Sequence, residues 1–258
     1  MRTIYTILVF VLFLLFCSSQ AKAQDNYEIQ VYTSELVEIH HTAIELHSNL
    51  TTNGSTLMMG GVYPSNHVVH ETLEITHGFS DWLEVGSYLF TSLGSDDRTG
   101  IAGVHVRPRI TVPEEYKLPV GLSLSSEIGY QKTEFFGSRW GAEIRPIIDK
   151  KCDRLFFALN LAMGIVLDSN QSHIPDFSPC FKTTYDMTKK FGLGIEYYSS
   201  LGAINHPEPI QAQKHQVFGA IDWEFSPDWE FNAGLGYGLT SATDKWIVKF
   251  ILGYKLPF

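Results

Sequence analysis

The residues of this sequence that could do chemistry are charged side chains spaced two apart within otherwise apolar stretches. His105, Arg107 and Arg109 form one such run. Because successive strand residues point to opposite faces, this spacing places the charges on one face of a strand. We predict that the same parity lines an enclosed interior with Glu74, Glu84, His105, Arg107, Arg109, Glu127, Glu143, Arg145, Lys182, Asp186, Glu196, Asp222, Glu224, Glu230 and Lys249.

Two interpretations of this interior stay open. In the first, the charges form ion pairs and hydrogen bonds that fill a narrow lumen. In the second, Arg107, Arg109 and Arg145 oppose acidic strands across a water-filled path. The electric field across this path would select polar or amphipathic solutes.

Histidines crowd the first half of the chain and raise the question of a metal site. His40 and His41 are adjacent and would point to opposite faces of a strand. His47, His67 and His70 would surround a mobile external loop, without the fixed outer shell of partners that a metal site requires. We therefore expect surface or lumen histidines, no metal site and no cofactor.

An enzyme is the second class of function to weigh, because a lipid hydrolase places a serine, a histidine and an orienting polar group close together. The run from His47 through Ser48 to Asn49 has the residue types of such a site. A nucleophile and its base must lie within hydrogen-bond reach, whereas neighbouring strand residues point apart. We expect no enzyme and keep the hydrolase as an alternative.

The elements that must position these residues are strands, because apolar and polar residues alternate in segment after segment. Most segments are about ten residues long, which suits a tilted strand that crosses a bilayer. We predict strands at 36–47, 68–77, 82–90, 100–111, 120–131, 138–148, 154–167, 178–187, 191–200, 214–225, 229–240 and 245–257. The predicted fold is all-β: a twelve-stranded antiparallel transmembrane β-barrel over residues 36–258.

The connections and aromatic residues favour this barrel over a soluble β-sandwich. Short turns such as 149–153 alternate with long loops such as 48–67, as in outer-membrane barrels. Aromatic residues cluster near strand ends, where they would form girdles at the two membrane interfaces. They are Phe79, Trp82, Tyr88, Trp140, Trp223, Trp229, Tyr237, Trp246, Tyr254 and Phe258.

The N-terminal residues predict export. Arg2, an apolar run and a small-residue site ending at Ala23 are typical of a cleaved secretory signal peptide over residues 1–23. Residues 24–35 form a segment that either enters the lumen or pairs at the periplasmic rim. The net charge of -9 gives no basic footprint for nucleic acid. The barrel topology would also keep Cys152 and Cys180 too far apart to form a disulfide.

Two resemblances sharpen this interpretation. The final run ILGYKLPF resembles the C-terminal signal that the barrel-assembly machinery recognises, which ends in a phenylalanine, here Phe258. The chain is also similar to a family of outer-membrane barrels named after the meta-pathway of phenol degradation. That similarity lies at 28–32 (EIQVY), 45–49 (ELHSN), 196–202 (EYYSSLG), 215–216 (HQ), 222–232 (DWEFSPDWEFN) and 236–240 (GYGLT). It implies a barrel with small-molecule passage and names no substrate.

Together these features predict a protein of the outer membrane of a Gram-negative bacterium, in contact with the membrane lipids. The expected function is a channel or transporter that lets an unknown small polar or amphipathic solute pass by diffusion. A structural or adhesion barrel that acts through its external loops is the first alternative, and the lipid hydrolase is the second.

Overall fold

Alternating apolar and polar residues build a wall of long strands in the computed structural model, which describes residues 26–169 and 172–256. The elements in chain order are β1 (Thr42–Asn53), β2 (Val68–Ser80), β3 (Leu83–Leu93), β4 (Gly100–Thr111), β5 (Gly121–Gln131), helix α1 (Thr133–Phe136), β6 (Trp140–Cys152), β7 (Leu155–Val166), β8 (Asp176–Asp186), β9 (Phe191–Ser200), the short strands β10 (Gly202–Ala203) and β11 (His206–Pro207), β12 (Lys214–Ser226), β13 (Trp229–Gly238) and β14 (Trp246–Leu256). Short 3-10 turns lie at Asp96–Arg98 and Glu114–Tyr116.

The wall closes on itself. Each long strand pairs antiparallel with its neighbours in sequence, and β8, β9 and β12 follow one another around the wall. Strand β1 pairs with β14 from Thr42 opposite Leu256 to Asn53 opposite Trp246. Within the described ranges this gives twelve wall strands and a closed sheet. The predicted twelve-stranded antiparallel barrel is confirmed.

The two faces of the wall have opposite chemistry. In β5, Leu124, Ile128 and Tyr130 are exposed on the outside, whereas Ser123 and Ser125 are buried on the inside. A soluble sandwich would bury the apolar face between two sheets, so this inside-out pattern excludes it. Separately, the described ranges contain no helix long and apolar enough to cross a membrane.

Connections differ at the two ends of the barrel. At one end the strands are joined through residues 81–82, 112–120, 153–154, 187–190 and 227–228, and we call this end the short-turn rim. At the other end they are joined through 54–67, 94–99, 132–139, 167–175, 201–213 and 239–245, and we call this the long-loop rim. The predicted alternation of tight turns and longer loops is confirmed, with one exception: the connection 112–120 at the short-turn rim is longer than 94–99 and 239–245 at the other rim.

The first wall strand is the main correction to the predicted elements. It spans Thr42–Asn53 and not 36–47, whereas the other eleven wall strands begin within two residues of their predicted starts. Residues 36–41 instead connect the lumen to the start of this strand. Ile39 forms a parallel bridge with Gly78, and the chain turns at His40, which has a φ of 63°. In the observed strand His47, Asn49 and Thr51 are buried inside and Leu46 is exposed outside.

Aromatic side chains do form bands on the outside of the wall. Trp229 contacts Tyr254 near the short-turn rim, with 4.6 Å between ring centroids. Tyr237 contacts Trp246 near the long-loop rim, at 4.9 Å. The prediction that Tyr88 belongs to a girdle is wrong, because its side chain points into the barrel and is buried. The predicted signal peptide and Phe258 lie outside the described residues.

Candidate functional site: the filled lumen

The lumen of the barrel contains the chain's own N-terminal segment, which we define as residues 26–38. Asn26 donates to Asp244 (2.7 Å) at the long-loop rim, and the Ser34 N–H donates to Asp149 near the short-turn rim. Between these anchors the side chains of Tyr27 and Tyr32 are buried. The sequence left this segment's position open, and the structure places it through the barrel from end to end.

Polar side chains of the wall satisfy the backbone of this segment. Asn160 bonds Tyr32 twice, accepting from its N–H and donating to its carbonyl, both at 2.8 Å. Thr72 donates to the Tyr27 carbonyl (2.7 Å), and Lys249 donates to the Ile29 carbonyl (3.1 Å). An extended chain with no strand beside it needs such partners, because unpaired buried backbone groups are costly.

Arginine side chains surround the ring of Tyr32. The guanidinium carbons lie 4.7 Å (Arg107), 5.0 Å (Arg145) and 5.5 Å (Arg109) from the ring centroid. Cations within about 6 Å of an aromatic face are attracted by its quadrupole. The Tyr32 hydroxyl also lies 2.9 Å from that of Tyr88. Tyr32 is therefore the main side-chain anchor of the segment at the centre of the lumen.

The arginines are themselves paired with nearby carboxylates. Arg109 contacts Glu84 at 2.8 Å, and Arg107 contacts Glu74 as well as Glu84, the latter at 3.3 Å. Arg109 also donates to two carbonyls of the N-terminal segment, both at 2.8 Å. These ion pairs fill the lumen on this side, as the first interpretation of the charged residues proposed.

A second charged cluster lies across the lumen. Lys182 contacts Asp222 at 2.7 Å and Glu196 at 3.5 Å, and Lys249 pairs with the other oxygen of Glu196. Glu196 and Lys249 are fully buried, and they come from strands that are not adjacent in the wall. Their contact shows that the inner surfaces of separate strands meet.

The predicted site residues fall into two groups by position. Those inside the barrel are Glu74, Glu84, His105, Arg107, Arg109, Glu127, Glu143, Arg145, Lys182, Glu196, Asp222 and Lys249. The other three are near the short-turn rim. Asp186 pairs there with the exposed Lys151 (2.7 Å), Glu224 is exposed, and Glu230 lies 3.8 Å from Lys255.

Sequence reasoning missed the uncharged residues that hold the N-terminal segment. Asn49, Thr72, Thr111 and Asn160 all donate to it from inward positions. For Asn49, Thr72 and Thr111 the signal was available, since they share the inward parity of charged or histidine residues in their own strands, whereas β7 around Asn160 contains no charged residue. Asparagine and threonine at lumen positions were overlooked because only ionisable groups were considered.

Two cavities lie at opposite ends of the described lumen. One of about 160 Å³ opens toward the long-loop rim and is lined by residues including Tyr27, Phe90, Phe136, His105 and Glu127. The other, of about 800 Å³, opens toward the short-turn rim beside residues 33–39. Tyr32 and its arginines lie between them. The described lumen thus has a cavity at each rim, which we call a vestibule, and a filled centre between them.

The residues of the hydrolase hypothesis do not converge. Ser48 has the outward parity of Leu46 and donates to Glu71 (2.7 Å). His47 lies inside the wall and is completely buried. The prediction that His47 borders a mobile external loop is wrong, because residues 47 to 53 continue the strand β1.

Comparisons with known proteins agree with this geometry at the level of fold. No family model matches the chain, and no curated protein does. Among solved structures, the KdgM porin matches with a TM-score of 0.53 and 10% identity, over 84% of this chain and 99% of that one. The NanC porin matches with a TM-score of 0.54 and 10% identity, over 83% and 100%. The likeness shows a shared porin-type barrel fold, and the resemblance to the phenol-degradation family stays a prediction.

Proposed function

We propose that this protein is an outer-membrane channel through which a small polar or amphipathic solute diffuses, and that its N-terminal segment closes the path at rest. The single observation that carries the proposal is the pair of vestibules separated by Tyr32 and the arginines around it. A barrel whose interior served only as a packed core would not need vestibules at both rims.

The outer membrane is the proposed location, because the exposed apolar wall needs hydrocarbon around it and the matched structures are porins. The short-turn rim would face the periplasm, as in bacterial outer-membrane barrels. The membrane lipids and, through Phe258, the barrel-assembly machinery are the proposed partners.

The charges of the vestibules support a preference for cations. The described residues that line the smaller cavity include four carboxylates (Glu28, Glu127, Glu143 and Asp176) and one guanidinium, that of Arg145. The larger cavity is lined by Glu35, Glu38, Asp81, Glu114 and Asp149, with only two lysines. An excess of one sign of charge in a narrow path raises the local concentration of the opposite ion. The aromatic rings of the smaller cavity suit the apolar part of an amphipathic cation.

The way in which the N-terminal segment is attached allows it to be displaced from the lumen. Its backbone does not join the sheet ladder. Tyr27, Ile29 and Val31 bury their side chains in the apolar clusters of the lumen, and outside the central anchor the backbone is held by hydrogen bonds from wall side chains. Such bonds contribute only about 1 kcal/mol each on balance, because water replaces them when they break. Departure of the segment would expose these apolar side chains but would break no bond of the sheet ladder, so the wall can stay closed.

Planar-bilayer recording of a variant that lacks residues 24–38 tests the channel. We expect discrete conductance steps from this variant and rare, brief openings from the wild type. In a salt gradient the reversal potential should show that cations pass more readily than anions. A heat-dependent shift on SDS gels checks that the shortened barrel has folded. A folded variant that gives no conductance would overturn the proposal.

A reversible disulfide between the segment and the wall tests whether conductance comes from displacement of the segment or from damage to the wall. Ser34 and Gly121 are in contact, since a side chain at Gly121 would meet the Ser34 hydroxyl. In a Cys152→Ser background, Ser34→Cys with Gly121→Cys should form a disulfide that holds the segment in the lumen. We expect silence when the pair is oxidised and openings after reduction. Equal open probability in both states would contradict closure by the segment.

A structural barrel is the second candidate, favoured by the loop at 54–67. Leu57, Met58 and Met59 in this loop are 74, 57 and 70% exposed. Large apolar side chains at a loop tip are typical of a contact surface. If the variant lacking residues 24–38 folds without conducting, loss of cell adhesion on Met58→Ser and Met59→Ser would support this candidate.

A further inference from the structure

A histidine and two carboxylates converge inside the wall beside the ion pairs of the closed centre, and only Glu74 belongs to both groups. His47 Nε2 lies 3.3 Å from a Glu45 oxygen and 3.5 Å from a Glu74 oxygen. The three ligand atoms lie within 4.8 Å of one another. Glu45 and His47 share the inward face of β1, and Glu74 comes from the neighbouring β2.

Three polar atoms of this cluster, two of His47 and one of Glu74, lack hydrogen bonds among the described residues. His47 is completely buried, and neither of its ring nitrogens has a hydrogen-bond partner among the described residues. The Glu74 oxygen that faces His47 also has none in that part of the chain. Buried polar groups are almost always paired, and each exception calls for an explanation. Here the unpaired atoms point at one another.

The two separations from His47 match those between ligands of one metal ion. Zinc binds histidine nitrogen and carboxylate oxygen at about 2.0–2.2 Å. Two ligands at that distance and at a tetrahedral angle are about 3.4 Å apart, by the same bond lengths. The observed separations of 3.3 and 3.5 Å fall on either side of this value.

The surroundings fix one ligand and leave the site accessible. The other Glu74 oxygen accepts from Thr76 (2.7 Å) and from Arg107, which orients the carboxylate. Such outer partners are typical of metal ligands. Glu45 is 16% exposed. Gly253 is the β14 partner of Glu45 and has no side chain, so the Glu230 side chain occupies the space beside it. A Cβ at Gly253 would lie 2.6 Å from the Glu230 Cγ.

We propose that Glu45, His47 and Glu74 bind one divalent transition-metal ion, with Zn²⁺ the best match. Two carboxylates and a neutral imidazole balance the charge of such an ion. Mg²⁺ and Ca²⁺ prefer sites built from oxygen alone, so the histidine disfavours them. Entry would be from the short-turn rim, where Glu230 lies. The expectation of no metal site rested on His47 next to a mobile loop, and its position in β1 removes that ground.

Metal analysis of the mature, folded protein tests this site. After treatment with a chelator, the protein is equilibrated with Zn²⁺ and its bound metal is measured by mass spectrometry. We expect one ion per wild-type chain and none in His47→Gln. His77→Gln is the matched control, because His77 lies on the outward face of β2 and is bonded to Thr42. It should bind like the wild type. Glu45→Gln should bind at least about tenfold more weakly, since it loses an ionised ligand.

A spectroscopic measurement keeps the test independent of variant folding. Co²⁺ bound to the wild type should give visible absorption bands of low-symmetry coordination, and added Zn²⁺ should abolish them. Wild-type protein that retains no Zn²⁺ above a buffer control would overturn the proposal and leave an ion pair of protonated His47 with its carboxylates. Equal Zn²⁺ binding by His47→Gln and His77→Gln would overturn it as well.

Discussion

Replacing Tyr32 with alanine should release the N-terminal segment while the wall stays intact. Nearly all side-chain contacts of Tyr32 join the segment to the wall: the arginines around the ring lie 4.7 to 5.5 Å from its centroid, and the hydroxyl meets Tyr88 at 2.9 Å. The change therefore weakens docking of the segment and leaves the strand ladder untouched. The wall would lose no backbone hydrogen bond.

The size of the effect follows from the burial of the ring, which is 5% exposed. Removing a buried aromatic side chain costs about 3–5 kcal/mol, and we take about 3 kcal/mol because water can enter the lumen. Each 1.4 kcal/mol is a factor of about ten in an equilibrium constant. Tyr32→Ala should therefore raise the population of the undocked segment about 100-fold.

Single-channel recording in planar bilayers measures this population as open probability. Tyr32→Phe is the matched control, because it keeps the ring among the arginines and removes only the hydroxyl. The hydroxyl bonds Glu28 within the segment and Tyr88 in the wall, and only the second bond holds the segment to the wall. Loss of that bond costs about 1 kcal/mol, so this variant should gain only about fivefold. The unitary conductance should be the same in both variants, since the wall is the same.

The result that would refute this reasoning is an open probability for Tyr32→Ala no higher than that for Tyr32→Phe. Attraction between the ring and the guanidinium groups would then not hold the segment. The backbone bonds made by Asn160 would be the next candidates for its anchor.

Other predictions concern the wall itself. Glu196→Gln leaves the buried lysine that it pairs with uncompensated, so the free energy of unfolding in urea, followed by tryptophan fluorescence, should fall by about 3–5 kcal/mol. Unchanged stability would mean that water reaches this lysine. Leu46→Arg puts a charge on the lipid face and should cost about 2–4 kcal/mol in lipid vesicles, whereas Leu57→Arg in an exposed loop should cost nothing measurable. Equal stability of the two variants would contradict the outward assignment of Leu46. A maleimide should label the exposed Cys152 of folded protein at once and the buried Cys180 only after unfolding. Rapid labelling of both would show an open lumen.

The barrel could be predicted from the sequence because strand periodicity is a local property. A slip of one residue would turn every apolar side chain of a strand inward, so the alternation itself fixes which face meets lipid. This is why the inward parity of Arg107 and Lys249 and the starts of eleven wall strands could be predicted. The first strand was misplaced because residues 36–41 alternate as well, although they form the exit of the N-terminal segment and not the wall.

The candidate site could be predicted only as a set of inward residues. Which of them meet depends on how the sheet curves and closes. Glu196 and Lys249 come from strands that are not neighbours, and the His47 cluster needs the register of β1 against β2.

The sequence alone therefore determined the wall and its two faces, because alternation acts between adjacent residues. The tertiary structure alone decided that the N-terminal segment crosses the lumen, that Tyr32 lies among arginines and that Glu45, His47 and Glu74 converge. These are contacts between parts of the chain far apart in sequence. Closure of the barrel brings them together, and no local periodicity encodes them.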